Sequence, residues 1–92
     1  MVCDIELHQL EMNYLEMLVG YIEGETTLTT ILQLNERIYK RPVESLSKTL
    51  VKATTRIHKL KERLDERGQV NEEEISNAIT DAMLHLTTTH VH

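Results

Sequence analysis

At 92 residues with no Phe or Trp, and with Tyr14, Tyr21 and Tyr39 as the only aromatic residues, the chain is one domain whose modest core has to come from Leu, Ile, Val, Met and Ala. One cysteine, Cys3, rules out an internal disulfide; no apolar run nears the ~20 residues of a membrane span, and no basic start leads into an apolar run, so a soluble cytoplasmic protein without signal peptide is expected. The net charge of −5 excludes a uniformly basic protein, yet all ten Lys and Arg fall between residues 37 and 67, nine of them in "KRPVESLSKTLVKATTRIHKLKERLDER", while residues 1–36 carry seven acids and 68–92 carry four.

Breaks are few (Gly20, Gly24, Pro42 and Gly68), and four helices fit between them. The first is predicted from an N-cap at Asp4 to Glu23, with Gly24 as C-cap. Its apolar residues form two stripes, Leu7, Leu10, Tyr14, Met17, Tyr21 and Ile5, Met12, Leu15, Val19, Ile22. A helix apolar over most of its circumference needs cover on more than one side, which predicts self-association. Gly20, inside this helix, implies a bend or a close approach. The second helix is predicted from Thr27 to Tyr39, with Leu28, Ile31, Leu32, Leu34 and Ile38 turned inward.

The third helix is predicted to start at Pro42, in the first turn where its missing N–H costs nothing, and to end at Gly68. Val43, Leu46, Leu50, Ala53, Ile57, Leu60 and Leu64 follow at spacings of 3, 4, 3, 4, 3 and 4, a heptad seam. The fourth begins after Asn71 as N-cap, with Glu74 closing a capping box and Val70 and Ile75 as hydrophobic staple. Glu72, Glu73 and Glu74 then serve the helix macrodipole, and Ile75, Ala78, Ile79, Ala82, Met83 and Leu86 provide the buried face. The fold class expected is all-α: a small bundle of four helices with one long heptad-patterned helix, completed by dimerisation. Residues 1–86 form its single domain and 87–92 a flexible tail.

On the third helix Arg41, Lys48, Lys52, Arg56, Lys59, Arg63 and Arg67 fall within about 100° of arc, turned away from the seam, as a ridge ~40 Å long. A solvated face, or one neutralised by the acidic helices, is the plain explanation of a charge run. Two arguments favour a partner: like charges four apart weaken an isolated helix, and charges opposite the seam point away from the protomer's own carboxylates. A polyanion suits such a line, with affinity from counterion release. Without stacking aromatics a duplex is favoured over a single strand. Hydroxyls at Ser45, Thr49 and Thr55, together with recognition by shape, give double-stranded RNA a slight edge over DNA. No recognition helix of a helix-turn-helix is evident. The plan is similar to that of short helical double-stranded-RNA binders of some insect viruses, in which a dimeric bundle lays long helices along the duplex; the likeness is one of architecture, not of motif.

Of the five histidines (His8, His58, His85, His90 and His92), His90 and His92 make an H-x-H, but no further Cys or carboxylate stands at ligand spacing, so no metal or other cofactor is expected. His58 borders the ridge and could add pH-dependent phosphate affinity. No nucleophile, base pair or phosphate loop suggests an enzyme, and the apolar face of the basic helix is committed to the seam rather than to a membrane. The expected function is thus a non-enzymatic, homodimeric duplex-nucleic-acid binder. The alternative is a protein-interaction module (adaptor, inhibitor or assembly factor) acting through the apolar and acidic surface of the first helix.

Overall fold

The computed structural model describes residues 4–87, so Cys3, the His90/His92 pair and residues 88–92 of the expected tail lie outside the described residues. Four α-helices account for the fold: α1 (Asp4–Ile22), α2 (Leu28–Tyr39), α3 (Lys48–Arg67) and α4 (Glu72–Thr87), with a 3-10 helix, Val43–Ser45, before α3. No strand occurs among the described residues. Each helix packs on its neighbours in chain order and α4 returns to α1, which leaves α1 and α3 diagonal to each other across the bundle. The molecule measures 40 × 26 × 21 Å, and α3, at ~30 Å, runs most of its length.

The core is aliphatic, as the composition requires. Leu18, Ile31, Ile38, Leu50, Ile57, Ile79 and Leu86 are fully buried, with Ala53, Ala78 and Ala82 allowing the helices to approach. On α1 the first stripe faces this core, through Tyr14 above all, together with Leu18, which belongs to neither predicted stripe. The second stripe is only partly covered: Ile5 is 77 % and Ile22 53 % exposed.

A polar chain crosses the core. The buried Tyr14 hydroxyl donates to Asn35 Oδ1. Asn35 Nδ2 donates to the Thr54 carbonyl at 3.1 Å, and Thr54 Oγ1 bonds back to the Leu50 carbonyl at 2.9 Å. Asn35 and Thr54 are thus interior polar residues of α2 and α3, satisfied as burial demands. Burial pushes the Tyr14 phenol far above its usual range.

Capping decides the helix limits. Thr27 caps α2, its side chain accepting from the Thr30 amide at 3.3 Å. Asn71 caps α4, accepting from the Glu74 amide at 2.8 Å. The reciprocal half of the predicted box is not made; the Glu74 carboxylate instead lies 3.7 Å from Arg63 Nη1. Gly68 ends α3 at φ +76°, a conformation natural to glycine, with its amide on the Leu64 carbonyl at 2.8 Å. Gly20 answers to space: a Cβ there would stand 2.6 Å from Thr26 Oγ1, and its carbonyl accepts from Glu25 and Thr26 at 2.8 and 3.1 Å. The close approach is to the α1–α2 turn.

The start of the third helix corrects the sequence reading. Pro42 does not open it; its ψ of 136° is extended, and it precedes the 3-10 turn, where Ser45 Oγ donates to its carbonyl at 2.8 Å. Leu46 is extended as well, and the true cap is Ser47, whose Oγ accepts from the Leu50 amide at 3.1 Å. Ser47 also donates to the buried carboxylate of Glu11 on α1, which places a negative charge at the positive end of α3. The seam therefore loses its first member: Val43 is 68 % exposed, and Leu46 packs on the core from the connection. At the other end α4 runs through Thr87, whose Oγ1 donates to the Met83 carbonyl at 3.0 Å.

Candidate nucleic-acid interface

The buried residues of α3 fix where its charges go. Leu50, Ala53, Thr54, Ile57 and Leu60 face inward. At ~100° per residue, Lys48, Lys52 and Lys59 then fall on nearly one line on the outer side, while Arg56, Arg63 and Arg67 form a second line toward α4. From Lys48 to Arg67 the stripe spans ~28 Å, shorter than the ridge expected from the sequence. Arg41 is not part of it. It lies on the connection after α2, its amide bonded to the Ile38 carbonyl at 3.0 Å, and it borders one surface depression with Glu6, Gln9 and Asn13 of α1 and another with Tyr39, Val51 and Thr55.

The two lines differ in what they meet. Arg56 Nε lies 3.1 Å from Asp81 Oδ2, and Arg63 Nη1 3.7 Å from Glu74 Oε1, both carboxylates belonging to α4. Arg56 is about 40° round the helix from the buried Leu60, close enough to the α3–α4 contact for a long side chain to reach across. The expectation that the whole ridge would point away from the protomer's own acids is corrected here for these two arginines. The Arg56 pair is imperfect, since its buried Nε is near the Asp81 carboxylate but not aligned to donate a hydrogen bond to it. Among the described residues no carboxylate pairs with Lys48, Lys52, Lys59, Arg67 or Arg41. The other cations of the segment work inside the fold: Lys61 and Lys40 clasp Glu36 at 3.3 and 3.5 Å, and Lys61 above all holds the Glu36 carboxyl below its usual range.

Between the two lines is a shallow depression of about 260 Å³, lined by Val51, Lys52, Thr55, Arg56, Lys59 and His85. Three cations, one of them the Arg56 already facing Asp81, one hydroxyl and one imidazole stand around an apolar wall there. His85 arrives from α4, and sequence reasoning missed it because nothing in the α4 pattern says which α3 residues it meets. The histidine proposed for this role, His58, lies on the α2 side instead. It stacks on Tyr39 with ring centroids 4.1 Å apart, and its Nε2 is 3.3 Å from Glu62.

Two of the three hydroxyls expected to contact phosphate are already occupied. Ser45 serves the 3-10 turn, and Thr49 shares its Oγ1 with Ser47 at 3.1 Å and Glu11 at 3.5 Å. Thr55 remains, at the edge of the depression. No tyrosine reaches the stripe: Tyr14 is in the core and Tyr39 lies on His58. An apolar groove of about 240 Å³, lined by Val43, Leu46, Lys48, Val51 and Lys52, adjoins the N-terminal end of the stripe. No described helix is long and apolar enough to cross a membrane. No protein-family model, curated protein or solved structure matches the chain, so the likeness of plan to viral duplex-RNA binders has no structural match behind it.

Proposed function

We propose that the chain is a non-enzymatic, homodimeric duplex-nucleic-acid-binding protein of the cytoplasm, contacting the phosphate backbone without sequence preference through α3. The observation that carries the reading is the line of Lys48, Lys52 and Lys59 on the outer side of α3, with no carboxylate among the described residues engaging it. Arg56 and Arg63 add charge from the α4 side once a phosphate competes with Asp81 and Glu74, and Arg41 extends the positive surface beyond the helix. The absence of any stacking aromatic on the stripe favours a duplex over a single strand. Double-stranded RNA keeps a slight edge, resting now on Thr55 and on recognition by shape.

The test is a fluorescence-anisotropy titration of the full chain with duplex RNA, duplex DNA and single strands at several salt concentrations. Binding to duplexes that weakens steeply with salt, at a slope of about −0.9 per phosphate neutralised, is the expected result. No binding at low salt contradicts the reading. The protein-interaction alternative gains support from the exposed Val43 beside its groove and from the acidic, partly uncovered α1. It predicts that a single stoichiometric protein partner survives nuclease treatment in a pull-down, and that Val43→Glu abolishes its capture while leaving duplex titrations unchanged.

A further inference from the structure

Four residues of α3 that line the depression on the lysine line, Lys52, Thr55, Arg56 and Lys59, stand at i, i+3, i+4 and i+7, the spacing of one helix face. Thr55 is the short one, so the longer cations rise around it and leave a hollow of about 260 Å³. Lys52 and Lys59 are separated by ~10 Å of helix, within reach of one ion placed over Thr55. The fifth polar group comes from α4. Glu74, Asp81 and His85 fall within about 40° of arc on that helix, on the line that meets α3. Glu74 faces Arg63 at 3.7 Å, and Asp81 faces Arg56 at 3.1 Å. At the next place on the line the acid gives way to His85, which shares the hollow with Lys52. The α4 edge that neutralises α3 twice thus adds a base where the unpaired lysines stand.

We infer that this hollow seats one backbone phosphate of the duplex, and that His85 tightens the seat when protonated, so that binding strengthens as pH falls. The inference rests on the duplex reading above and adds its regulation. Lys52, Arg56 and Lys59 supply charge and the Thr55 hydroxyl a donor at any pH. A neutral imidazole adds no charge, whereas an imidazolium adds one, with both ring nitrogens as donors. The charged groups around His85 are those three cations and, one turn back on its own helix, Asp81, which faces Arg56. Helix α1 also packs on α4, but no described residue of α1 lines the hollow. The cations oppose protonation of His85 and Asp81 favours it. A phosphate in the hollow sets a further negative charge beside the ring, so proton uptake and phosphate binding promote each other. His58, stacked on Tyr39 and facing Glu62, stands outside this seat.

The test is an anisotropy titration of the full chain with duplex RNA at about pH 5.5 and 8, on either side of the ordinary histidine range, each across salt. The wild type is expected to bind about fivefold more tightly at the lower pH, with a salt slope steeper by about 0.9, one more cation being engaged. His85→Gln, with its helical circular dichroism retained, is expected to lose both differences, and His58→Gln to keep them. Equal slopes at the two pH values in the wild type, or a folded His85→Gln that keeps the difference, overturns the inference and leaves the duplex reading standing. Should His85→Gln fail to fold, the wild-type His85 ring signals in NMR decide: they shift with saturation during the duplex titration where the inference holds and stay in place where it fails. A wild type that binds no duplex at either pH overturns the duplex reading, and the hollow is then judged by pyrophosphate at the lower pH. A saturable shift of the His85 ring signals, lost in Lys52→Glu/Lys59→Glu, upholds the anion seat; no shift overturns it.

Discussion

Asn35 is the residue on which three helices agree. Its amide oxygen receives the Tyr14 hydroxyl and its nitrogen reaches the Thr54 carbonyl, so one side chain ties α1, α2 and α3 through the interior. Asn35→Ala strands the buried phenol, at a cost of about 2–3 kcal/mol, and urea unfolding is expected to show a lower midpoint with an unchanged slope. The phenol itself predicts an alkaline limb. Its proton is held more tightly in the folded state than in the unfolded one, so stability is intact below the ordinary tyrosine range near ~10 and falls as pH rises above it. Unfolding midpoints measured across that range are expected to lose this decline in Tyr14→Phe. On the surface Asp81 competes for Arg56. Asp81→Asn is expected to strengthen duplex binding by up to about fivefold, the worth of a part-exposed ion pair; an unchanged dissociation constant would mean that Arg56 takes no part.

Among the elements, α2 and α4 were legible almost completely. Asn71 announced the start of α4 by residue type, Thr27, read as the first residue of α2, is its cap, and the apolar spacing of α4 named the side chains that pack inward. The beginning of α3 was not, because two signals conflict within six residues. Pro42 and an unbroken heptad count both argue for an early start, whereas Ser47 offers a side-chain cap that also satisfies Glu11 from a distant helix. The cap prevails through a tertiary contact that no local pattern contains. Ser47→Ala removes the cap and leaves Glu11 without its donor, and an equilibrium unfolding curve is expected to show a loss of about 1–2 kcal/mol. The clasp between α2 and α3 has a pH signature as well. Lys61 and Lys40 lower the Glu36 carboxyl, so its contribution is present above the unfolded carboxylate range and disappears as pH falls through the folded value. The stability difference between wild type and Glu36→Gln is therefore expected to vanish at acid pH.

For the molecule as a whole, the sequence made the charge segregation plain but could not divide it. Which cations belong to the fold and which face outward depends on helix adjacency: α4 sets Asp81 and Glu74 against Arg56 and Arg63, α2 sets Glu36 against Lys61, and the lysine line is left over. Acidic α1 stands diagonally across from that line, so the molecule is polar from one side to the other and is oriented by any polyanion it approaches. The measurement that tests this account most directly is the duplex-RNA affinity of Lys52→Glu/Lys59→Glu beside the wild type, titrated across salt with the fold monitored by circular dichroism. The account predicts a folded variant with affinity reduced at least about tenfold at low salt and a salt slope shallower by about two. A folded variant that binds as the wild type does, with the same slope, contradicts it.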